Sequence, residues 1–221
     1  MNLIVIIQSR MSSHRYPGKM LAPFLGKPVL AHVVQRLKEI KIKPEIILAT
    51  SEENADDPLV NYSQNLGLKI FRGPLDDVMK RFVLCLKKNE CDAFFRVCGD
   101  SPLLLPFLFE QAASIYRNND YDLVTNIFPR SFPAGMSVEL IKTRTFLEVQ
   151  KDIIDNEDRE HITRYFYNNP KNFKIHNIEC AKPLNSNIKL TVDKPGDIEK
   201  LEEWYLAQDK KYEDIFPVLS K

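Results

Sequence analysis

The chain has 221 residues, which suits one α/β domain, or one domain with a small appendage, and lets it bury a core without disulfide or metal staples. Its 44% hydrophobic and 28% charged residues are those of an ordinary water-soluble fold. A formal net charge of +1 excludes the basic surplus that general nucleic-acid and membrane-surface binders need, while leaving room for a local basic pocket.

No apolar run approaches the ~20 residues that cross a bilayer, so no membrane insertion is expected. The opening apolar residues lack a basic leader and a cleavage signature, and read as a first strand rather than a signal peptide. Cys85, Cys91, Cys98 and Cys180 form no C-x-x-C pair. That spacing argues against zinc and suits small buried hydrophobes in a reducing cytoplasm, the expected location.

Residues 3–7 are a short apolar run bounded by polar residues, as in a buried parallel strand. A polar loop fills 8–27. In 28–40, Leu30, Val33, Val34 and Leu37 recur at helical spacing, and Pro28 suits a first helical turn. Residues 45–50 read as a second strand, 58–66 as a helix closed by Gly67, and 68–71 as a third strand. An amphipathic helix at 75–88 carries Val78, Met79, Phe82 and Leu86 on one face. A strand at 93–97, a helix at 105–117 and a strand at 122–126 follow. This alternation predicts a sheet built from right-handed crossovers with helices on both faces.

The second part is less regular. Strands are predicted at 136–141, 173–178 and 188–192, and helices at 143–152, 159–167 and 195–207, the last with Trp204 available for packing. No repeat, low-complexity tract or linker interrupts 1–221, so one domain is expected, with 128–186 as a small subdomain or dimerisation arm.

The stretch QSRMSSHRYPGKM at 8–20 follows the first strand directly, where ligands gather in open α/β sheets. It concentrates Arg10, Arg15 and Lys19 with Ser12 and Ser13. A triphosphate needs fixed positive charge and several donors, and arginine grips it bidentately. Pro17 and Gly18 signal a turn that aims Lys19 back into the loop. From charge alone, a solvated basic loop is an equal reading. Neither a P-loop nor G-x-G-x-x-G is present, which argues against a Walker ATPase and a Rossmann dehydrogenase.

Two aspartates form a second constellation. Asp100, in RVCGDSP (96–102), follows a predicted strand on the same sheet edge. Magnesium usually takes one or two carboxylates, completed by phosphate oxygens and waters; a turn aspartate capping the next helix is the competing reading. Asp193, in KLTVDKPGD (189–197), also follows a predicted strand, while Asp197 reads as a helix N-terminal residue. Thr50 and Ser51, ending the second strand, are expected to line a base pocket. Asp76 and Asp77 read as first-turn helix residues.

IIQSRMSSHRYPGKML (6–21), followed by GKPVLAHVV (26–34), resembles the signature of sugar cytidylyltransferases. The nearest likeness is to the spore-coat polysaccharide SpsF-like proteins, and a more distant one is to enzymes that activate Kdo and sialic acids as CMP-sugars. The resemblance extends from about residue 3 to about residue 201. It implies a nucleotide-diphospho-sugar transferase fold of GT-A or Rossmann-like type: a three-layer α/β/α sandwich with a mostly parallel mixed sheet.

The resemblance also implies roles. Arg10, Arg15 and Lys19 would hold the CTP phosphates, with Gln8, Ser9, Ser12 and Ser13 along the nucleotide. Ser12 stands where relatives often have glycine. Asp100 and Asp193, the aspartates of G-D-x-P and T-V-D-x-P motifs, would bind Mg2+. FRGPLDDV (71–78) would place Arg72 near the base or ribose. In GMSVE (135–139), Ser137 replaces the usual aspartate and Glu139 is expected at the sugar hydroxyls. REHIT (159–163) would put Arg159 and Thr163 on one helix face, with Arg159 reaching a sugar carboxylate or phosphate; a surface helix with local ion pairs is the equal alternative. His32, His161 and His176 receive no role.

The expectation is a Mg2+-dependent nucleotidyltransferase that joins CMP from CTP to an acidic or unusual sugar for surface or spore polysaccharide, with release of pyrophosphate. Arg10, Lys19 and Asp100 carry its catalysis, and its partners are CTP, the sugar and a second copy in a homodimer. One alternative is a GT-A-type glycosyltransferase, with Asp120-Tyr121-Asp122 as its D-x-D motif. The other is a regulatory CTP-binding protein, suggested by Ser12 and Ser137. Cytidine over uridine rests on resemblance alone.

Overall fold

The computed structural model describes residues 1–182, 188–208 and 212–218. Every residue from Leu3 to Ile7 is buried. Leu3, Val5 and Ile7 enter one core cluster, and Ile4 and Ile6 enter the other. A strand apolar on both faces requires a layer on each side. The strand in question, β1 (Leu3–Gln8), is accordingly central.

From β1 the chain passes through a tiny hairpin, β2 (Pro23–Phe24) and β3 (Lys27–Pro28), into α1 (Val29–Glu39). Then come β4 (Glu45–Ser51), α2 (Asp57–Asn65), β5 (Lys69–Gly73), α3 (Val78–Lys88), β6 (Ala93–Cys98), α4 (Pro106–Asn118) and β7 (Leu123–Thr125). The second part adds β8 (Glu139–Lys142), α5 (Thr143–Val149), α6 (Asn156–Glu160), α7 (Arg164–Asn168), β9 (Ile175–Asn177) and α8 (Gly196–Leu206). Among the described residues, seven strands form one sheet in the order β5-β4-β1-β6-β8-β7-β9. Only β8 runs antiparallel to its neighbours. α1, α2, α4 and α8 cover one face; α3, α5 and α7 cover the other. This is the expected α/β/α sandwich with a mostly parallel mixed sheet.

The segment 128–186, of which 183–186 lie outside the described residues, contributes β8 and β9 to the main sheet. Residues 187, 209–211 and 219–221 likewise lie outside the described residues.

Several boundaries differ from the sequence reading. The helix expected from 75 starts at Val78, because Asp77 caps it by accepting Lys80 N at 2.8 Å. The strand expected at 136–141 begins only at Glu139. The helix expected over 159–167 is broken: α6 ends at Glu160 and α7 starts at Arg164. The turn at His161 lets Ile162 and Phe166 both enter the core, so Arg159 and Thr163 do not share a helix face.

Residues 188–192 are not a strand either. Leu190 N donates to Ala134 O at 2.7 Å and Val192 N to Asp100 O at 2.9 Å, so this segment is bonded to loops, with one bridge between Lys189 and Ala134. Gly135 makes that approach possible. At φ +104 it is a glycine position, and a Cβ there would lie 2.2 Å from Leu190 O.

Candidate active site

A cleft of about 280 Å³ opens beyond the carboxyl ends of β1 and β6. The loop after β1 forms one wall. Two anchors fix it: Gly18, at φ +76, donates N–H to Met11 O at 2.9 Å, and Met11 N donates to Asp56 Oδ1 at 2.7 Å. Asp56 is fully buried just after β4. Its Oδ2 accepts from Thr50 Oγ1 at 2.6 Å, from Ser51 N at 2.9 Å and from the Ser51 hydroxyl. Burial works against the charge of Asp56, but the Ser51 and Thr50 hydroxyls and the Met11 and Ser51 amides outweigh it and lower its pKa.

The turn at Gly18 sends Lys19 inward, where it is 6% exposed. Its Nζ donates to Asp100 Oδ2 at 2.6 Å, Val192 O at 2.8 Å and Asp193 Oδ1 at 3.2 Å. All three ammonium donors are engaged, as a buried lysine requires. The two aspartates, 93 positions apart in sequence, therefore converge on one cationic point. Asp193 is held there from behind: Asp193 N and Lys194 N donate to Asp197 Oδ2 at 2.8 and 2.9 Å. Arg15 reaches Asp193 Oδ1 at 2.9 Å, and Lys189 reaches Oδ2 at 2.6 Å. Burial tends to raise the Asp193 pKa; the hydrogen bond from Lys189 and the charge of Lys19 bring it below its ordinary value.

Of the residues expected on the nucleotide, Gln8, Ser9, Arg10, Ser13, Arg15 and Lys19 line this cleft with Asp100 and Asp193. Ser12 is exposed and does not line it. Thr50 is buried against Asp56, and Arg72 donates to Ser51 O, Glu53 O and Asp57 Oδ1, so both side chains support the wall from outside the cleft. The hydroxyl of Ser9 is buried without a hydrogen-bond partner among the described residues. Gly99 leaves it space, since a Cβ there would stand 2.7 Å from Ser9 Oγ. A ligand acceptor is the natural partner for such a group.

A second cavity of about 220 Å³ shares Cys98 and Asp100 with the first. Its floor is a buried network. Arg96 donates to Glu139 Oε2 at 2.9 Å and to Gln8 Oε1 at 3.1 Å, and Tyr167 OH donates to Glu139 Oε1 at 2.7 Å. Desolvation, and then the charge of Glu139, keep the Tyr167 phenol protonated. Arg130 lines the cavity with both terminal nitrogens 3.2 Å from Ser137 Oγ. Desolvation pushes the Cys98 thiol up to about 11, so it is a poor nucleophile.

Glu139 lines this second cavity, but its carboxylate is committed to Arg96 and Tyr167. Arg159 lines neither cavity. It ion-pairs with Asp77 at 2.6 Å and donates to Ile153 O at 2.9 Å, tying α6 to α3. The D-x-D aspartates are also committed elsewhere: Asp120 pairs with Lys142 and Lys174, and Asp122 accepts from Thr145 Oγ1.

The sequence reading missed Asp56, Arg81 and Glu160. Asp56 is hidden in an acidic run, EENADD at 52–57, that reads as a solvated loop. Arg81 had a signal: an arginine inside the apolar stripe of α3, three residues after Val78.

Residues 4–215 match the model of the family described as Cytidylyltransferase. The chain belongs to the cytidylyltransferase family. It is 26% identical over 212 residues to the spore coat polysaccharide biosynthesis protein SpsF of Bacillus subtilis, covering 92% of this chain and 86% of that one. It is 26% identical over 223 residues to the 8-amino-3,8-dideoxy-manno-octulosonate cytidylyltransferase of Shewanella frigidimarina, covering 92% and 84%. The solved structure of a cytidylyltransferase from Leptospira borgpetersenii superposes with a TM-score of 0.90 at 29% identity, covering 97% of this chain and 92% of that one. The fold is thus that of Rossmann-like nucleotidyltransferases. Among the described residues, no helix is long and apolar enough to cross a membrane.

Proposed function

We propose that this cytidylyltransferase transfers CMP from CTP to an acidic or unusual sugar, with pyrophosphate as the leaving group. The observation that carries the reading is the convergence of Asp100 and Asp193 on one cation position, beside a loop that presents Arg10, Arg15 and Lys19.

The triphosphate lies along the first loop. Arg15 and Lys19 neutralise its charge, while Ser13 and the unpaired Ser9 hydroxyl supply neutral donors. Asp100 lines both cavities, which supports a reading with the reacting phosphorus beside it and the acceptor hydroxyl in the second cavity. The hydroxyl oxygen attacks the α-phosphorus in line, the bond to the bridging oxygen breaks, and the hydroxyl proton is released. Catalysis comes from holding reactants together and from cations aimed at developing phosphate charge. No side chain becomes covalently attached.

The donor set also fits Mg2+. Among the described residues, no group of three or more metal-ligating side chains exists. Two carboxylates that already share one cation leave the rest of an octahedron to phosphate oxygens and water, which is the usual balance for magnesium. Asp100 and Asp193 would hold the ion, which supplies Lewis-acid stabilisation of phosphate charge. A surface or spore polysaccharide role, a cytoplasmic location and a homodimer complete the proposal by resemblance to SpsF-like proteins.

The test is product identity. Incubation with CTP, Mg2+ and a panel of acidic sugars, including 8-amino-3,8-dideoxy-manno-octulosonate, should give pyrophosphate and a CMP-sugar by mass spectrometry. Sugar transfer from a preformed nucleotide-sugar without pyrophosphate would favour a glycosyltransferase. Tight CTP binding with no product from any sugar would favour a regulatory protein.

A further inference from the structure

One face of the sheet changes from apolar to polar at its carboxyl end. Ile6 of β1, Phe94 of β6, Ile141 of β8 and Leu123 of β7 belong to the core cluster under α3, α5 and α7. Side chains two positions apart share a face of a strand. The next residues on that face are therefore Gln8, Arg96, Glu139 and Thr125, in four neighbouring strands. Their side chains form one row of hydrogen bonds, with Tyr167 of α7 bridging two of them. Tyr167 OH lies 3.0 Å from Thr125 Oγ1 and donates to Glu139 Oε1 at 2.7 Å. Arg96 Nη1 donates to Glu139 Oε2 at 2.9 Å, and Arg96 Nε and Nη2 both donate to Gln8 Oε1, at 3.2 and 3.1 Å. Thr125 and Glu139 are buried. Polar groups buried in this way are costly unless bonded, and once bonded they fix one geometry.

The geometry fixed here is that of the Gln8 amide. A guanidinium only donates, so the amide oxygen must face Arg96 and the NH2 group must face away from it. Gln8 lines the cleft, and its Nε2 has no hydrogen-bond partner among the described residues. Gln8 pairs in register with Cys98, which lines both cavities, and its carbonyl accepts from Gly99 N at 3.0 Å, one residue before Asp100. The amide thus stands at the boundary of the two cavities, beside the strand end that carries Asp100.

A neutral donor of fixed orientation at that boundary suits the phosphoryl group that changes hands there. Donors aimed in advance at phosphate oxygens stabilise charge without reorganising. We infer that Gln8 Nε2 donates to the α-phosphoryl group of the nucleotide, and that Arg96, Glu139 and Tyr167 are positioning residues that hold the amide in its donating orientation. This inference rests on the cytidylyltransferase reading of the cleft. Glu139 then acts from behind Arg96 and not on the acceptor.

The experiment needs no acceptor. Cytidine and CMP differ by the phosphate that is transferred, so the ratio of their dissociation constants isolates that group. Both are measured by calorimetric displacement of CTP, without metal, on the wild type, Gln8→Met, Tyr167→Phe and the double variant. The wild type should hold CMP about a hundredfold or more tighter than cytidine. Gln8→Met keeps the length of the side chain and removes the donor; it should reduce that ratio by roughly tenfold and leave cytidine affinity unchanged. Tyr167→Phe should reduce the ratio by about threefold in the wild-type background and not at all in Gln8→Met, because its effect passes through the amide. Equal losses in both backgrounds would make Tyr167 a structural residue and overturn the positioning row. An unchanged ratio in Gln8→Met overturns the role of Gln8. Gln8→Glu keeps the pairing with Arg96 and turns an acceptor toward the ligand, so it should lower the ratio further, and it decides alone if Gln8→Met does not fold. A wild type that binds CMP no tighter than cytidine overturns the inference. A wild type that binds no CTP contradicts the cytidylyltransferase reading itself, and the inference falls with it.

Discussion

The ammonium of Lys19 lies 2.6 Å from Asp100 Oδ2, in a position where the lysine is 6% exposed. The same nitrogen reaches Asp193 at 3.2 Å, so Lys19 occupies the point that a divalent cation would share with the two acids. Removing one partner from such a cluster leaves uncompensated buried charge. Lys19→Met should lower turnover by roughly 100-fold or more, through loss of phosphate stabilisation. It should also tighten nucleotide-free Mn2+ binding by about tenfold, since a competing cation is gone. Electron paramagnetic resonance of Mn2+ checks the second effect without any turnover; weaker Mn2+ binding in the variant would contradict it.

Asp56 controls the loop through Met11 N and acts from outside the cleft. Asp56→Asn replaces one accepting oxygen with a donor facing other donors. The expected loss is about 2–4 kcal/mol of stability, with weaker CTP binding as the loop loosens. The Asp56 pKa is lowered in the folded state, so its contribution is fully present above the ordinary carboxylate pKa and lost as pH falls through the folded value. Melting temperatures of wild type and variant should therefore differ constantly from about pH 5 to 8 and converge below about pH 4. A gap that stays constant down to pH 3 would show that the carboxylate charge is not what holds the loop.

Gly135 lets the 188–193 segment approach the sheet. Gly135→Ala adds a Cβ 2.2 Å from Leu190 O at a backbone φ of +104, and Leu190 belongs to the segment that carries Asp193. A loss of about 3 kcal/mol or more is expected, because a strained φ and a backbone clash combine. Urea unfolding measures it, and an unaltered midpoint would mean that the segment is not pinned here.

The two residues expected at the acceptor should behave differently. Glu139→Gln strips Arg96 of its buried counter-ion, which should cost about 3–5 kcal/mol. Arg159→Ala breaks the link to Asp77 at the start of α3, which should cost about 1 kcal/mol and leave the acceptor KM unchanged. A rise in acceptor KM for Arg159→Ala would return that residue to the sugar site.

The first half of the fold was legible in the sequence because its strands are apolar on both faces and its helices carry clean stripes, as in β1 and α1. The second half was less so. Short elements such as α6, α7 and β9 are stabilised by distant packing, and the segment 188–192 looks β-prone yet bonds to loops. The phosphate loop and the two acids were readable as charged residues at turns after apolar runs. Asp56, Arg96 and Glu160 were not, since each acts through a partner at least five positions away in sequence, and in the case of Glu160 150 positions away.

Asp100 is the charged residue shared by both cavities, and the proposed chemistry takes place beside it. The direct measurement is pyrophosphate release from CTP, with Mg2+ and the preferred acidic sugar, by wild type and by Asp100→Asn, which keeps the size of the side chain and removes its charge. Acceptor-dependent release by the wild type, reduced by roughly 100-fold or more in a variant that still unfolds cooperatively well above the assay temperature, is the predicted result. Equal release by the two proteins would contradict it.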